Sequence, residues 1–148
     1  MQILIDADAC PVKDETYEVA ARHGVAVVVV SNSAIRVPVT PLITRKVVSD
    51  GFDAADDWIV EHTAPDTVVI SADILLADRC LKLGATVIAP NGKPFTASSI
   101  GSAIAMRAIM ADLRAGTGIT GGPPPFSKAD RSRFRSSLDE ALVRLRRP

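Results

Sequence analysis

Asp6 and Asp8 follow directly on the apolar run Ile3-Leu4-Ile5, and Asp73, with Asp78 beyond it, follows the β-branched run Thr67-Val68-Val69-Ile70. If two such runs lie side by side in a parallel sheet, their ends share one rim, so carboxylates far apart in sequence meet in space. Asp53, Asp56 and Asp57, at the head of a helical stretch, can reach the same rim. Asp56 and Asp57 differ in facing by about 100° on a helix, so at most one of them points inward. Crowded carboxylates repel and raise one another's pKa, and a group of four or more calls for a cation. Oxygen ligands with no His or Cys among them favour magnesium or manganese over zinc. One or two such ions can activate a water and stabilise the leaving oxygen of a phosphodiester, as in the two-metal displacement.

Each aspartate also has a structural use. Asp8 can cap a helix that begins near Pro11, Asp53 the second helix and Asp73 the third. Asp6 has no capping duty, because it stands at the edge of the core straight after a strand. Asp78 lies five residues past Asp73, off the same helical face, and can pair with Lys82. The cations placed to meet phosphates are Arg107 and Arg114, seven apart on one helix face, and Lys128 and Arg131 at the head of the last helix. Their alternative is ion pairing with the acidic part of the chain. His23 and His62, isolated near helix ends, read as surface residues, Trp58 as core, and Cys10 and Cys80 as structural thiols.

The elements that must hold these residues alternate. Gln2–Ile5 predicts a first strand and Pro11–His23 a helix stopped by Gly24. Ala26–Val30, without polar alternation, predicts a central parallel strand covered on both faces, and Ser31-Asn32-Ser33 a turn. Val37–Pro41 reads as a surface loop, Arg45–Ser49 as a short strand and Asp53–His62 as a helix. Thr67–Ile70 and Ala85–Ile88 are strands flanking a helix over Asp73–Leu83, which Gly84 closes. Right-handed crossovers then give a mostly parallel α/β sheet with helices on both faces. Ser99–Ala115 and Ser127–Arg146 predict two C-terminal helices joined by the Gly/Pro-rich connector Gly116–Pro125, with Ser127 and Asp130 resembling a capping box. The connector lacks the spacing of a phosphate-binding nucleotide loop. With no internal repeat and no long linker, residues 1–148 are expected to form one domain, an α/β core over 1–96 with the helices of 97–148 packed on it.

Composition narrows the class. Hydrophobic residues make up 47% of the 148, with no apolar run long enough to cross a membrane. The start of the chain runs from Met1 straight into Asp6 without the features of a signal peptide, so the expected location is the cytoplasm. Formal net charge is zero, yet residues 1–102 carry 8 Lys/Arg against 13 Asp/Glu and residues 103–148 carry 9 against 4. Such asymmetry fits an acidic site in one part and a polyanion-gripping surface in the other, or basic helices that are simply solvated. One Tyr and one Trp offer no aromatic platform for stacking single strands.

Several strings are distinctive together: Asp6-Ala7-Asp8-Ala9-Cys10-Pro11-Val12-Lys13, Ser31-Asn32-Ser33, Gly51-Phe52-Asp53-Ala54-Ala55-Asp56, Ser71-Ala72-Asp73-Ile74-Leu75-Leu76-Ala77 and Thr120-Gly121-Gly122-Pro123-Pro124-Pro125-Phe126. They resemble, nearly end to end, the uncharacterised bacterial YaiI/YqxD-like family, which looks like a branch of the PIN-like superfamily of mostly metal-dependent ribonucleases. The resemblance implies a three-layer α/β/α PIN-like fold and a magnesium- or manganese-dependent nuclease acting on nucleic acid, RNA first. Asp6 would be the first-strand metal ligand and Asp73 the later one, with Asp8, Asp53, Asp56 and Asp78 as supporting acidic positions. Where a typical PIN domain has a Glu in the second helix, this chain offers Asp53 or Asp56. Two other readings stand beside it. Ile3-Leu4-Ile5-Asp6-Ala7-Asp8 also resembles a haloacid dehalogenase-like phosphatase, with Asp6 as nucleophile and Asp8 as acid/base. No Thr follows two places after Asp8, however, and Pro11 leaves no room for a flap insertion. The non-enzymatic reading is an RNA-binding module on the same fold.

Overall fold

A computed structural model of the chain describes residues 1–51, 53–106 and 126–146. The strands are β1 (Gln2–Asp6), β2 (Ala26–Ser31), β3 (Ile43–Val47), β4 (Thr67–Ile70), β5 (Thr86–Ile88) and β6 (Pro94–Phe95). The helices are α1 (Lys13–His23), α2 (Ala54–Glu61), α3 (Ile74–Lys82), α4 over 97–106 and α5 (Lys128–Arg146). They build one sheet in the order β3-β2-β1-β4-β5-β6, parallel throughout except for the antiparallel edge strand β6.

Both faces of the sheet are apolar because both are covered. Ile3, Ile5, Val27, Val29, Val68 and Ile70 pack in one layer with Val19 of α1 and Phe134, Leu138 and Leu142 of α5. Leu4, Val30, Val69 and Val87, one residue out of phase, pack in the other with Ile59 of α2, Leu76 and Cys80 of α3 and Ile100 of α4. The unbroken β-branched runs therefore satisfy two cores at once, and each fully buried Val, Ile or Leu contributes about 1.5–3 kcal/mol. The expected α/β architecture, with helices on both faces and a helix at the carboxyl end of the chain packed on the sheet, is present.

Local signals explain most boundaries. Gly24, at φ 67, ends α1 in the left-handed conformation. Ser127 and Asp130 form the reciprocal box at the head of α5: the Asp130 N–H donates to Ser127 Oγ (3.1 Å), and the Ser127 N–H donates to Asp130 Oδ2 (2.9 Å). α1 starts at Lys13, later than Pro11, because residues Ala7–Ala9 form a 3-10 turn first. β6 has no sequence signal, being two residues long with a proline. The rest of the predicted helix Ser99–Ala115, with Arg107 and Arg114, and the connector Gly116–Pro125 lie outside the described residues. Among the described residues no helix is long and apolar enough to cross a membrane.

α5 lies beside α1 and runs parallel to it. Arg131 pairs with Glu15 (2.8 Å), Arg135 with Glu18 (2.9 Å) and Asp139 with His23 (2.7 Å), so the partners advance along both helices together. The turn between β5 and β6 also clamps this helix. Gly92, at φ +89, comes so close to α5 that a Cβ there would stand 2.6 Å from the Arg133 carbonyl carbon, and Ser137 Oγ donates to the Gly92 carbonyl (2.5 Å).

What positions the site is the reversal of winding. The chain steps from β1 outward to β2 and β3, then returns through α2 to β4 on the other side of β1. The reversal opens a crevice beyond the carboxyl ends of β1 and β4, the usual ligand position of an open α/β sheet.

Candidate functional site

Residues from four chain segments meet in that crevice. Asp6 ends β1, Asp8 follows in the 3-10 turn, Asp50 and Asp53 come from the segment leading into α2 and Asp56 from its first turn, and Asp73 heads α3. They line one cavity of about 550 Å³, together with Cys10, Asn32, Ser71 and Pro90.

Two buried serines hold the aspartates at the strand ends. Ser71, next after β4, donates from Oγ to Asp6 Oδ2 (2.9 Å) and accepts the Asp73 N–H (3.0 Å). Ser31, the last residue of β2, donates to Asp8 Oδ1 (2.9 Å) and accepts the Ser33 N–H (3.0 Å). Both turns fold for the same reason: a Ser side chain closes onto the N–H two residues on. Each bond engages one oxygen of its carboxylate and fixes its orientation. Asp73 uses Oδ1 to accept the Leu75 and Leu76 N–H groups (2.9 and 3.1 Å), so it is a helix cap as well as a cavity residue. The other two caps considered from sequence do not form. Neither Asp53 nor the residues ahead of α1 make a side-chain cap bond. Asp53 instead sits at φ 61, a left-handed conformation that Asp tolerates better than most residues but that still costs energy.

The electrostatics record the crowding. Burial pushes the Asp6 carboxyl up; the Ser71 hydrogen bond opposes this, and the charges of Asp73 and Asp8 add to it. Asp56 is pushed up to about 6, by burial first and then by Asp73, Asp6 and Asp53, with Arg79 pulling the other way. Among the described residues, no three His, Cys, Asp or Glu side chains stand close enough to enclose an ion as they are arranged. Asp6, Asp8, Asp56 and Asp73 offer the cavity carboxylate oxygens, the donor type that hard cations take.

The site differs from the sequence expectation in several places. Asp78 does not line the cavity; a turn and a half along α3 it faces Lys82 at 3.0 Å, as their i,i+4 spacing allows. Of the adjacent pair, Asp56 faces the cavity while Asp57 pairs with Arg79 at 3.1 Å. Arg131 is committed to Glu15 and to the Pro11 carbonyl (2.8 Å), with its guanidinium over the Phe126 ring. Lys128 is exposed at the start of α5. Asp50, Ser31 and Ser71 also belong to the site without an individual signal in the sequence, although both serines lie in the Ser-x-Ser and Ser-x-Asp strings.

Comparison with known proteins covers nearly the whole chain. The profile described as "Uncharacterized BCR, YaiI/YqxD family" matches residues 4–144. A UPF0178 protein of Sphingopyxis alaskensis is 70% identical over 146 residues, covering 98% of this chain and 95% of the relative. Another from Bradyrhizobium sp. (strain ORS 278) is 59% identical over 145 residues, covering 98% and 88%. A third, from Nitrobacter winogradskyi, is 58% identical over 147 residues, covering 99% and 94%. No solved structure matches the chain. The chain belongs to the YaiI/YqxD family of uncharacterised bacterial proteins.

Proposed function

We propose that this member of the YaiI/YqxD family is a divalent-metal-dependent phosphodiesterase of the PIN-like type, with nucleic acid, and RNA first, as its substrate. The observation that carries the reading is the convergence of Asp6, Asp8, Asp56 and Asp73 on one cavity at the sheet's winding reversal, with Asp6 and Asp56 held against ionisation by burial and by their neighbours. A protein gains nothing in stability from such an arrangement, and a cation relieves it.

Asp6 and Asp73 are the residues that would hold the ion, being joined through Ser71 across the crevice. Magnesium or manganese there would polarise a phosphoryl oxygen and make a water acidic enough to attack phosphorus. Asp8, oriented by Ser31, would support the ion from the same wall, and Asp56 faces the attacking water. From the cavity wall, the Asp56 carboxylate can accept the proton that this water gives up. The serines keep the carboxylates oriented, and the half-buried cavity lowers the local dielectric in which the phosphate charge is met.

Calorimetric titration with manganese, alongside cleavage of a labelled single-stranded RNA and the matching DNA, tests the reading. Wild-type protein should bind the ion and cut, and Asp6→Asn should lose both. Manganese binding unchanged in Asp6→Asn, or absent from the wild type, would overturn it. RNA binding without cleavage would favour a non-catalytic module, and a phosphoryl group transferred from a phosphomonoester to Asp6 and trapped in acid, with release of the alcohol, would favour the phosphatase.

A further inference from the structure

The register of the sheet sets a cation level with the acidic cavity. Asp6 stands opposite Val30 and Val30 opposite Lys46, so the backbones of Asp6 and Lys46 are about 10 Å apart, two strand spacings. β3 is the edge strand on this side, and Thr44, Arg45 and Lys46 are exposed. The chain ahead of β3 folds back along that edge: Thr40 bridges to Ile43, and Arg45 Nη1 donates to the Ile35 carbonyl (3.0 Å). Between loop and strand opens a groove of about 870 Å³, with Arg36 and Arg45 among its walls and Val37, Pro38, Val39 and Ile43 between them. Among the described residues, Arg36, Arg45 and Lys46 have no carboxylate within ion-pairing distance, whereas Arg79, Arg131, Arg133 and Arg135 each have one.

We propose that this groove along the β3 edge is the track on which the phosphate backbone of a single-stranded polynucleotide lies as it leads into the acidic cavity. The inference rests on the reading of that cavity as a phosphodiester site. A cavity of aspartates repels a polyanion, so a substrate must be held by positive charge, and Arg36, Arg45 and Lys46 supply it along the edge strand that the register sets level with the cavity. Among the described residues the groove holds no aromatic ring, but the guanidinium planes of Arg36 and Arg45 can stack on unpaired bases, and this favours a single strand over a duplex.

The test uses the full chain in EDTA, so that affinity is read without cleavage, with a fluorescein-labelled single-stranded oligoribonucleotide as probe and anisotropy measured across a salt series. Arg36→Gln/Arg45→Gln/Lys46→Gln should weaken binding by about tenfold or more at low salt and reduce the slope of log affinity against log salt by about 2, three phosphates at roughly 0.7 each. Arg36→Lys/Arg45→Lys keeps the charge and should retain the affinity, separating lost charge from a misfolded edge. Manganese binding, measured separately, should be the same in all three proteins. An unchanged slope in the triple variant, or a wild type that binds no oligonucleotide at low salt, overturns the proposal. Loss of manganese binding from the wild type alone strikes the phosphodiesterase reading instead, while the anisotropy still decides the track.

Discussion

Replacing Asp56 by Asn in metal-free buffer should stabilise the protein near neutral pH and leave it unchanged in acid. Burial, and then Asp73, Asp6 and Asp53, lift its carboxyl from 3.8 to about 6. With the folded pKa above the unfolded one, the native state binds more protons than the unfolded chain between those values. Wild-type stability contributed by this group therefore falls as pH rises through that window and then levels off. At about 1.4 kcal/mol per pKa unit the full shift would correspond to about 3 kcal/mol. Asp56 is only partly buried, so screening by solvent reduces this to about 1–2 kcal/mol. For a chain of this length that corresponds to a Tm gain of about 2–8 °C at about pH 7.5, vanishing near pH 3.5 where both side chains are neutral. Scanning calorimetry of both proteins in EDTA at the two pH values isolates the effect, because Asp66 and Asp130, whose carboxyls are lowered, contribute equally to each. An Asn variant less stable than wild type near neutrality, or a gain equal at both pH values, would show that Asp56 is not under electrostatic strain and would refute the reasoning.

Ser71→Ala removes the hydroxyl that joins Asp6 to the Asp73 backbone, and manganese affinity by calorimetry should drop about 10–100-fold, as for other orienting partners of metal ligands. Gly92→Ala must place a methyl group against the α5 backbone at a positive φ and should cost about 2–4 kcal/mol in urea unfolding; a loss below about 1 kcal/mol would mean that the turn yields freely. Glu15→Gln leaves the half-buried Arg131 without its counter-charge and should cost about 1–3 kcal/mol, whereas Glu18→Gln, whose pair with Arg135 is exposed, should stay within about 0.5 kcal/mol; equal costs in thermal melts would contradict the difference in burial.

The parallel sheet was legible because its strands are buried on both faces. Ala26–Val30 and Thr67–Ile70 carry β-branched residues at successive positions, which only a doubly covered strand requires. The rim aspartates were legible for a related reason, since a charge placed straight after such a run has nowhere to go but the strand end. The distinction between Asp78 and Asp56 was harder. Both sit in early helical turns, and only the direction in which α2 and α3 leave the sheet decides that Asp56 faces the crevice and Asp78 faces Lys82. The serines carry no signal of their own, because a hydroxyl in a turn has many uses. What gives Ser31 and Ser71 their role is burial beside a carboxylate on a neighbouring strand, a relation that exists only once the register is fixed. β6 escaped because two residues have no periodicity.

The charge asymmetry of the chain resolves once α5 is placed. Its arginines looked suited to a polyanion, yet Arg131 and Arg135 answer Glu15 and Glu18, and Asp139 answers His23, all on α1. The basic C-terminal helix thus neutralises an acidic helix of the same fold, in line with the parallel course of the two. That pairing leaves the carboxylates of the crevice out of reach, because α1 and α5 cover one face of the sheet while the aspartates gather at its rim. Asp56 feels Arg79, but Asp57 is the residue that pairs with it. Arg79, Arg131, Arg133 and Arg135 thus pair with carboxylates of α2, α1 and α5, while Arg36 and Arg45 lie beside the β3 edge, and among the described residues no arginine pairs directly with Asp6, Asp8 or Asp73. A fold that brings the half-buried Arg131 guanidinium to the buried Glu15 carboxylate brings no such partner to Asp6, Asp8 or Asp73 among the described residues, so at the rim burial and neighbouring carboxylates hold Asp6 and Asp56 against ionisation.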